Sequence, residues 1–142
     1  MQNINIQGDE LLTLIPHRHP MVMVDSLVEA SEDAATSTLL IKDENIFVAD
    51  GELSEVGIIE HVAQTAALRI GYICQQEGQP VRNGFIGSFK KFKLQRRAKS
   101  GELLKTDLKV MQSVGNITMI SAKVHANNEH IADCIMTLAL AE

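Results

Sequence analysis

Between Val56 and Gln76 the sequence is apolar on every side of the helix it would form. At about 100° per residue, Ile58, Val62 and Ile73 fall opposite Val56, Ala63 and Cys74, and a helix apolar all round is a buried one. Ser54 is suited to cap its start, and Gly78-Gln79-Pro80 stops it. No other stretch supports a long helix. The rest of the chain therefore has to enclose this one.

What encloses it reads as strands. Met21 to Val28 and Ala34 to Lys42 flank the turn Ser31-Glu32-Asp33, and both are rich in strand-forming residues. After the helix, segments near Gly84 to Gln95, Glu102 to Gln112, Asn116 to Ala126 and Glu129 to Leu140 are separated by turn-forming clusters such as Lys99-Ser100-Gly101 and Asn127-Asn128. Short turns make antiparallel neighbours. The order strand, strand, long helix, four strands predicts an α+β architecture, an antiparallel sheet wrapped around one central helix. Gly8 to Ile15 predicts a short helix, broken by Pro16-His17-Arg18-His19-Pro20. With no repeat or linker, residues 1–142 are expected to form one domain.

Composition narrows the function classes. A formal charge of -5 disfavours nucleic acid as a partner, since phosphate binding is driven by clustered Lys and Arg; only Lys90 to Lys99 is locally basic. No apolar run is long enough for membrane insertion, and Met1 to Glu10 is polar rather than leader-like. Cys74 and Cys134 sit in apolar runs, as reduced buried thiols of a cytoplasmic protein would. His17, His19 and Asp25 lack further ligands at a usual spacing, so no metal is expected.

Glu60 is the residue that asks for an explanation. It lies in the stripe Val56, Ala63, Ala67, Gly71 and Cys74, with Gln64 one turn on. Either it pairs with a cation or snorkels to a helix end, or its burial serves proton transfer. His61, about 100° round the helix, is a weaker candidate, because sequence neighbours do not face each other.

Two motifs carry a family resemblance. Leu14-Ile15-Pro16-His17-Arg18-His19-Pro20-Met21-Val22-Met23-Val24-Asp25 resembles the Leu-Pro-His-Arg-Tyr-Pro-Phe-Leu-Leu-Val-Asp opening of FabZ-type 3-hydroxyacyl-[acyl carrier protein] dehydratases. Ile58-Ile59-Glu60-His61-Val62-Ala63-Gln64-Thr65-Ala66 is similar to that family's Ile-Ile-Glu-Ala-Met-Ala-Gln-Ala-Ala, and Phe89-Lys90-Lys91-Phe92-Lys93 through Lys99-Ser100-Gly101-Glu102 resembles its Ala-Arg-Phe-Lys…Pro-Gly-Asp segment.

The resemblance implies a hotdog fold, usually dimeric, with the acyl chain in a tunnel beside the central helix and the active site at the subunit interface. It implies Glu60 as one catalytic residue and makes His17 a structural turn residue. The family's second catalytic residue, a His in a Gly-His-Phe-Pro loop, is missing: Gly51-Glu52 stands there in a shortened loop. Glu52 or His61 could then assist Glu60, a His-bearing hotdog subunit could complete the site, or the chain could only bind acyl thioesters; hydrolysis as a thioesterase is a third class. Amides near Val56 and Gly57, with Gln64, are expected to contact the thioester. Arg96, Arg97 and Lys99 are either a solvated face or a docking surface for acyl carrier protein. The expected partners are that carrier and either a second copy or a His-bearing relative. No cofactor is implied beyond the carrier's phosphopantetheine.

Overall fold

The structure, a computed structural model, describes residues 2–141. Its strands are β1 (Gln2–Gln7), β2 (Ser26–Ala30), β3 (Ala34–Leu40), β4 (Val48–Ala49), β5 (Glu52–Leu53), β6 (Gly84–Leu94), β7 (Leu103–Val114), β8 (Ile117–Ala126) and β9 (Glu129–Leu140). The helices are α1 (Gly8–Leu12) and α2 (Glu55–Gln76). Seven strands form one antiparallel sheet in the order β1-β2-β3-β7-β8-β9-β6, and β4 pairs with β5 in a small hairpin. The expected α+β sheet with one long helix is what forms.

The alternation of β7 shows why the sheet closes on the helix. Leu104, Thr106 and Leu108 are buried, while Lys105, Asp107 and Lys109 face solvent. Leu104, Leu108, Ile120, Ile131 and Met136 of the sheet and Leu53, Ile58, Val62 and Leu68 on and before α2 belong to one apolar cluster, each almost fully buried. Each such side chain contributes about 1.5–3 kcal/mol by leaving water. Ser37 on β3 and Thr65 on α2 share a buried hydroxyl hydrogen bond of 2.6 Å, which fixes the helix against that side of the sheet.

The caps of α2 follow the sequence. The Ser54 hydroxyl accepts from the Gly57 amide at 3.2 Å, and Gly78 takes the left-handed conformation just past the end. The helix is not buried all round, however. Val56 is 63% exposed, and Ile59, Glu60 and Ala67 are only partly covered.

Three segments depart from the sequence reading, one of them the small β4–β5 hairpin ahead of α2, where no strand is expected. β1 was not anticipated: Ile4 and Ile6 pack on the core, but the intervening Asn5 and flanking polar residues give the segment a hydrophilic composition. Met21 to Asp25 was expected to begin a strand, yet β2 starts only at Ser26. The backbone of Met21 and Met23 bonds instead to side chains of α2.

Candidate active site

The segment between α1 and β2 lies across α2, held there by small and amide-bearing residues of the helix. At Gly71 a β-carbon would stand 2.1 Å from the Leu14 carbonyl oxygen, so only glycine admits this approach. One turn from Glu60, Gln64 accepts from the Met23 amide through Oε1 (2.6 Å). Its Nε2 donates to the Met21 carbonyl and to Glu60 Oε2, both at 2.8 Å. The Arg18 guanidinium closes the turn by donating to the carbonyls of Ile15 and His17 at 2.9 and 2.6 Å. Asp25 then ties the segment's end to the sheet, accepting from the Leu40 amide at 2.7 Å.

This crossing brings His17 beside Glu60. Their Nε2 and Oε2 atoms are 3.8 Å apart, with side chains 30% and 25% exposed. Both face a cavity of about 300 Å³ whose other walls are Ala63, Ala67 and Ile70 of α2, Gly84 and Ile86 of β6, and Leu138 of β9. A larger cleft of about 670 Å³ also touches Ile70 and continues along the end of α2 past Ile73 and Cys74. An imidazole and a carboxylate against an otherwise apolar lining can remove and deliver protons beside a bound hydrocarbon chain.

The other expected site residues lie elsewhere. His61 points into the core with no exposure, and its Nδ1 donates to the Met23 carbonyl at 2.7 Å. Burial pushes its pKa from 6.5 down to about 4, against a smaller opposing effect of the Met23 hydrogen bond. It is therefore a neutral anchor for the crossing segment. Glu52 sits on β5, opposite Ala49 and bridged to Lys99, and does not line the cavity. Val56 is turned to solvent, and the Gly57 amide is taken by the Ser54 cap. Gly57 has a packing role instead, because a β-carbon there would be 2.7 Å from that of Phe47. Gln64 touches Glu60 but spends its remaining hydrogen bonds on the backbone.

The basic stretch divides. Arg96 makes paired 2.9 Å bonds to both Glu102 oxygens and a 3.1 Å contact to Glu129. The bond from Arg96 holds the Glu102 carboxyl below its usual range. Arg97 pairs with Glu55 at 3.2 Å at an exposed position, and Lys99 is exposed. Arg96 is thus committed within the chain rather than free on a solvated face, and a charge reversal there would set a carboxylate against two others. Arg96→Glu should destabilise the protein by about 1–3 kcal/mol, read as a lower denaturation midpoint, whereas Arg97→Glu should change the midpoint little.

His17, read from the sequence as a turn residue, is the functional candidate that local pattern did not reveal. Its partner lies on a distant helix, and only the crossing at Gly71 and Gln64 joins them. A polar Gln in an otherwise small and apolar stripe was the available signal, since such a side chain must bond to something that crosses it.

A family model described as ApeP-like, ApeP dehydratase, matches residues 10–141. The chain belongs to this family. Among relatives of the ApeP-like chain, the 3-hydroxyacyl-[acyl-carrier-protein] dehydratase FabZ of Natranaerobius thermophilus is 27% identical over all of this chain and 99% of its own. FabZ of Lactococcus lactis is 23% identical over 94% of this chain and 89% of its own. Among solved structures, the dehydratase heterocomplex ApeI:P from Xenorhabdus doucetiae aligns with a TM-score of 0.87 at 14% identity, covering 93% of this chain and 91% of that one. The hotdog fold is thus the fold of this ApeP-like chain, and its family is that of dehydratases, not thioesterases. None of its described helices is long and apolar enough to cross a membrane.

Proposed function

We propose that this ApeP-like chain is a dehydratase subunit that eliminates water from 3-hydroxyacyl thioesters carried on the phosphopantetheine of acyl carrier protein, in fatty acid or polyene assembly. The observation that carries this reading is Glu60, half-buried on α2 and facing a cavity otherwise walled mainly by apolar side chains. Its apolar walls suit an acyl chain, and Glu60 supplies the carboxylate for a proton at the chain's head. In the reaction the C2–H bond breaks and its electron pair forms the C2–C3 double bond. The C3–O bond then breaks towards oxygen, which accepts a proton and leaves as water. That chemistry needs no metal or redox cofactor; the pantetheine arm belongs to the substrate.

Glu60→Gln should lower the rate of water addition to a 2-enoyl thioester of acyl carrier protein by at least about 100-fold, with little change in melting temperature. Unchanged turnover would sink the reading, and release of free thiol would point to hydrolysis instead.

A second hotdog subunit is part of the proposal. The sheet ends on β6, whose Ile86 and Phe89 are 41% and 48% exposed and whose residues border the cavity. A partner lying along β6 would close that wall. The ApeI:P neighbour is itself a heterocomplex, which supports a related hotdog protein or a second copy as that partner. Of Arg96, Arg97 and Lys99, Lys99 and the exposed Arg97, whose pairing with Glu55 lies at the surface, are better placed than Arg96 to meet an acidic carrier. The two buried free cysteines agree with a cytoplasmic setting.

A further inference from the structure

We infer that His17 is the second proton-transfer group of this site, so that a single chain carries both members of the acid–base pair; the inference rests on the dehydratase reading proposed above. Three observations converge. His17 and Glu60 line the same cavity, and they are its two titratable residues. Nε2 faces Oε2 at 3.8 Å, too long for a settled hydrogen bond and short enough for a reacting group to sit against both. The backbone that carries His17 is fixed on both sides by Arg18, Gln64 and Gly71, so the ring is delivered to one place.

The same geometry separates the roles. Glu60 Oε2 already accepts from Gln64, so the carboxyl presents itself as an acceptor. As carboxylate, Glu60 takes the C2 proton of the 3-hydroxyacyl thioester while the C2–C3 double bond forms. His17, as imidazolium, gives its Nε2 proton to the departing C3 oxygen, which leaves as water. The proton now on Glu60 returns to His17 across the gap between Oε2 and Nε2, and the pair is reset with no net gain or loss. Glu52 is not needed, and its position off the cavity follows. The missing family histidine is replaced from the other side of the site, by the turn that precedes β2 rather than by the turn that precedes α2.

The test uses the full chain, alone and with a His-bearing hotdog dehydratase subunit, and a 2-enoyl thioester of N-acetylcysteamine, which needs no carrier docking. Water addition is followed by loss of the conjugated enoyl absorbance for wild type, Glu60→Gln, His17→Asn, His17→Ala and the double variant. The expected result is activity of the wild-type chain alone and a fall in kcat of at least about 100-fold in each single variant. The double variant should be little worse than the worse single, because the two residues act as a unit. Melting temperatures should stay near wild type, and free imidazole should restore part of the turnover of His17→Ala. Wild-type turnover in His17→Asn beside a dead Glu60→Gln would overturn the inference and leave the dehydratase reading standing. So would activity that appears only with the partner and is indifferent to His17, since the second group would then come from that partner. A large drop in melting temperature with no rescue by imidazole would return His17 to a structural role. Failure of the wild type both alone and paired would overturn the dehydratase reading itself.

Discussion

Replacing Gly71 with alanine should cost the protein at least about 3 kcal/mol, at or beyond the upper end of what overpacking usually does. The added β-carbon would stand 2.1 Å from the Leu14 carbonyl oxygen, 2.8 Å from its carbon and 2.9 Å from the Leu14 α-carbon. All three are backbone atoms, so no side-chain rotation relieves the clash. Gly71 lies within α2, where alanine is normally preferred by about 1 kcal/mol, and that preference is overwhelmed. Either α2 or the segment through Leu14 has to move, and Leu14 is itself almost fully buried. Urea denaturation of Gly71→Ala beside the wild type measures the loss. A midpoint equal to the wild type would mean that the segment does not cross the helix at this point. The variant should also lose turnover out of proportion to its folded fraction, because the displaced segment is the one that carries His17 to Glu60. Gly57→Ala is a milder comparison: its closest contact, the Phe47 β-carbon, stands at 2.7 Å rather than 2.1 Å and is fixed to its backbone, while the Leu53 side chain beside it can rotate.

The features legible in the sequence are those set by near neighbours along the chain. Ser54 and Gly78 mark the ends of α2 because a cap needs only the residues around it. The alternation of Leu104, Thr106 and Leu108 identifies β7 because a sheet face has a period of two. Met21 to Asp25 has the apolar character of a strand, yet its backbone partners are side chains of α2, and no local pattern distinguishes those from a neighbouring strand. The site divides in the same way. Glu60 stands out as a carboxylate in a stripe of small residues, a property of the helix alone. His61 stands beside it in sequence and away from it in space, turned by the helix into the core. His17 shows the reverse, distant in sequence and adjacent in space. Only Gly71, which lets the backbones touch, and Gln64, which bonds across the contact, connect it to the helix.

Acid should weaken the fold through His61, by about 3 kcal/mol between pH 7 and pH 4. Burial lowers the folded-state pKa from 6.5 to about 4, and the ring makes one hydrogen bond, from Nδ1 to the Met23 carbonyl. Its Nε2 is buried with no partner among the described residues, so a proton added there has neither water nor an acceptor to meet. Above pH 6.5 the ring is neutral in folded and unfolded chains, and it contributes no pH dependence. As the pH falls from 6.5 to about 4 the unfolded chain takes up a proton that the folded chain refuses, so stability falls through that window. Below about 4 both states are protonated and the loss levels off. Carboxylates elsewhere add their own acid dependence, so the informative quantity is the difference between wild type and His61→Gln, measured as unfolding free energy against pH. The glutamine can donate to the Met23 carbonyl and cannot be charged, so its curve should lack the fall between pH 6.5 and 4. Parallel curves would mean that the folded protein accepts the proton, which requires His61 to lie nearer water than its position beneath the crossing segment allows. Since that crossing also sets the distance between His17 and Glu60, acid should release the site's geometry before the larger apolar core gives way.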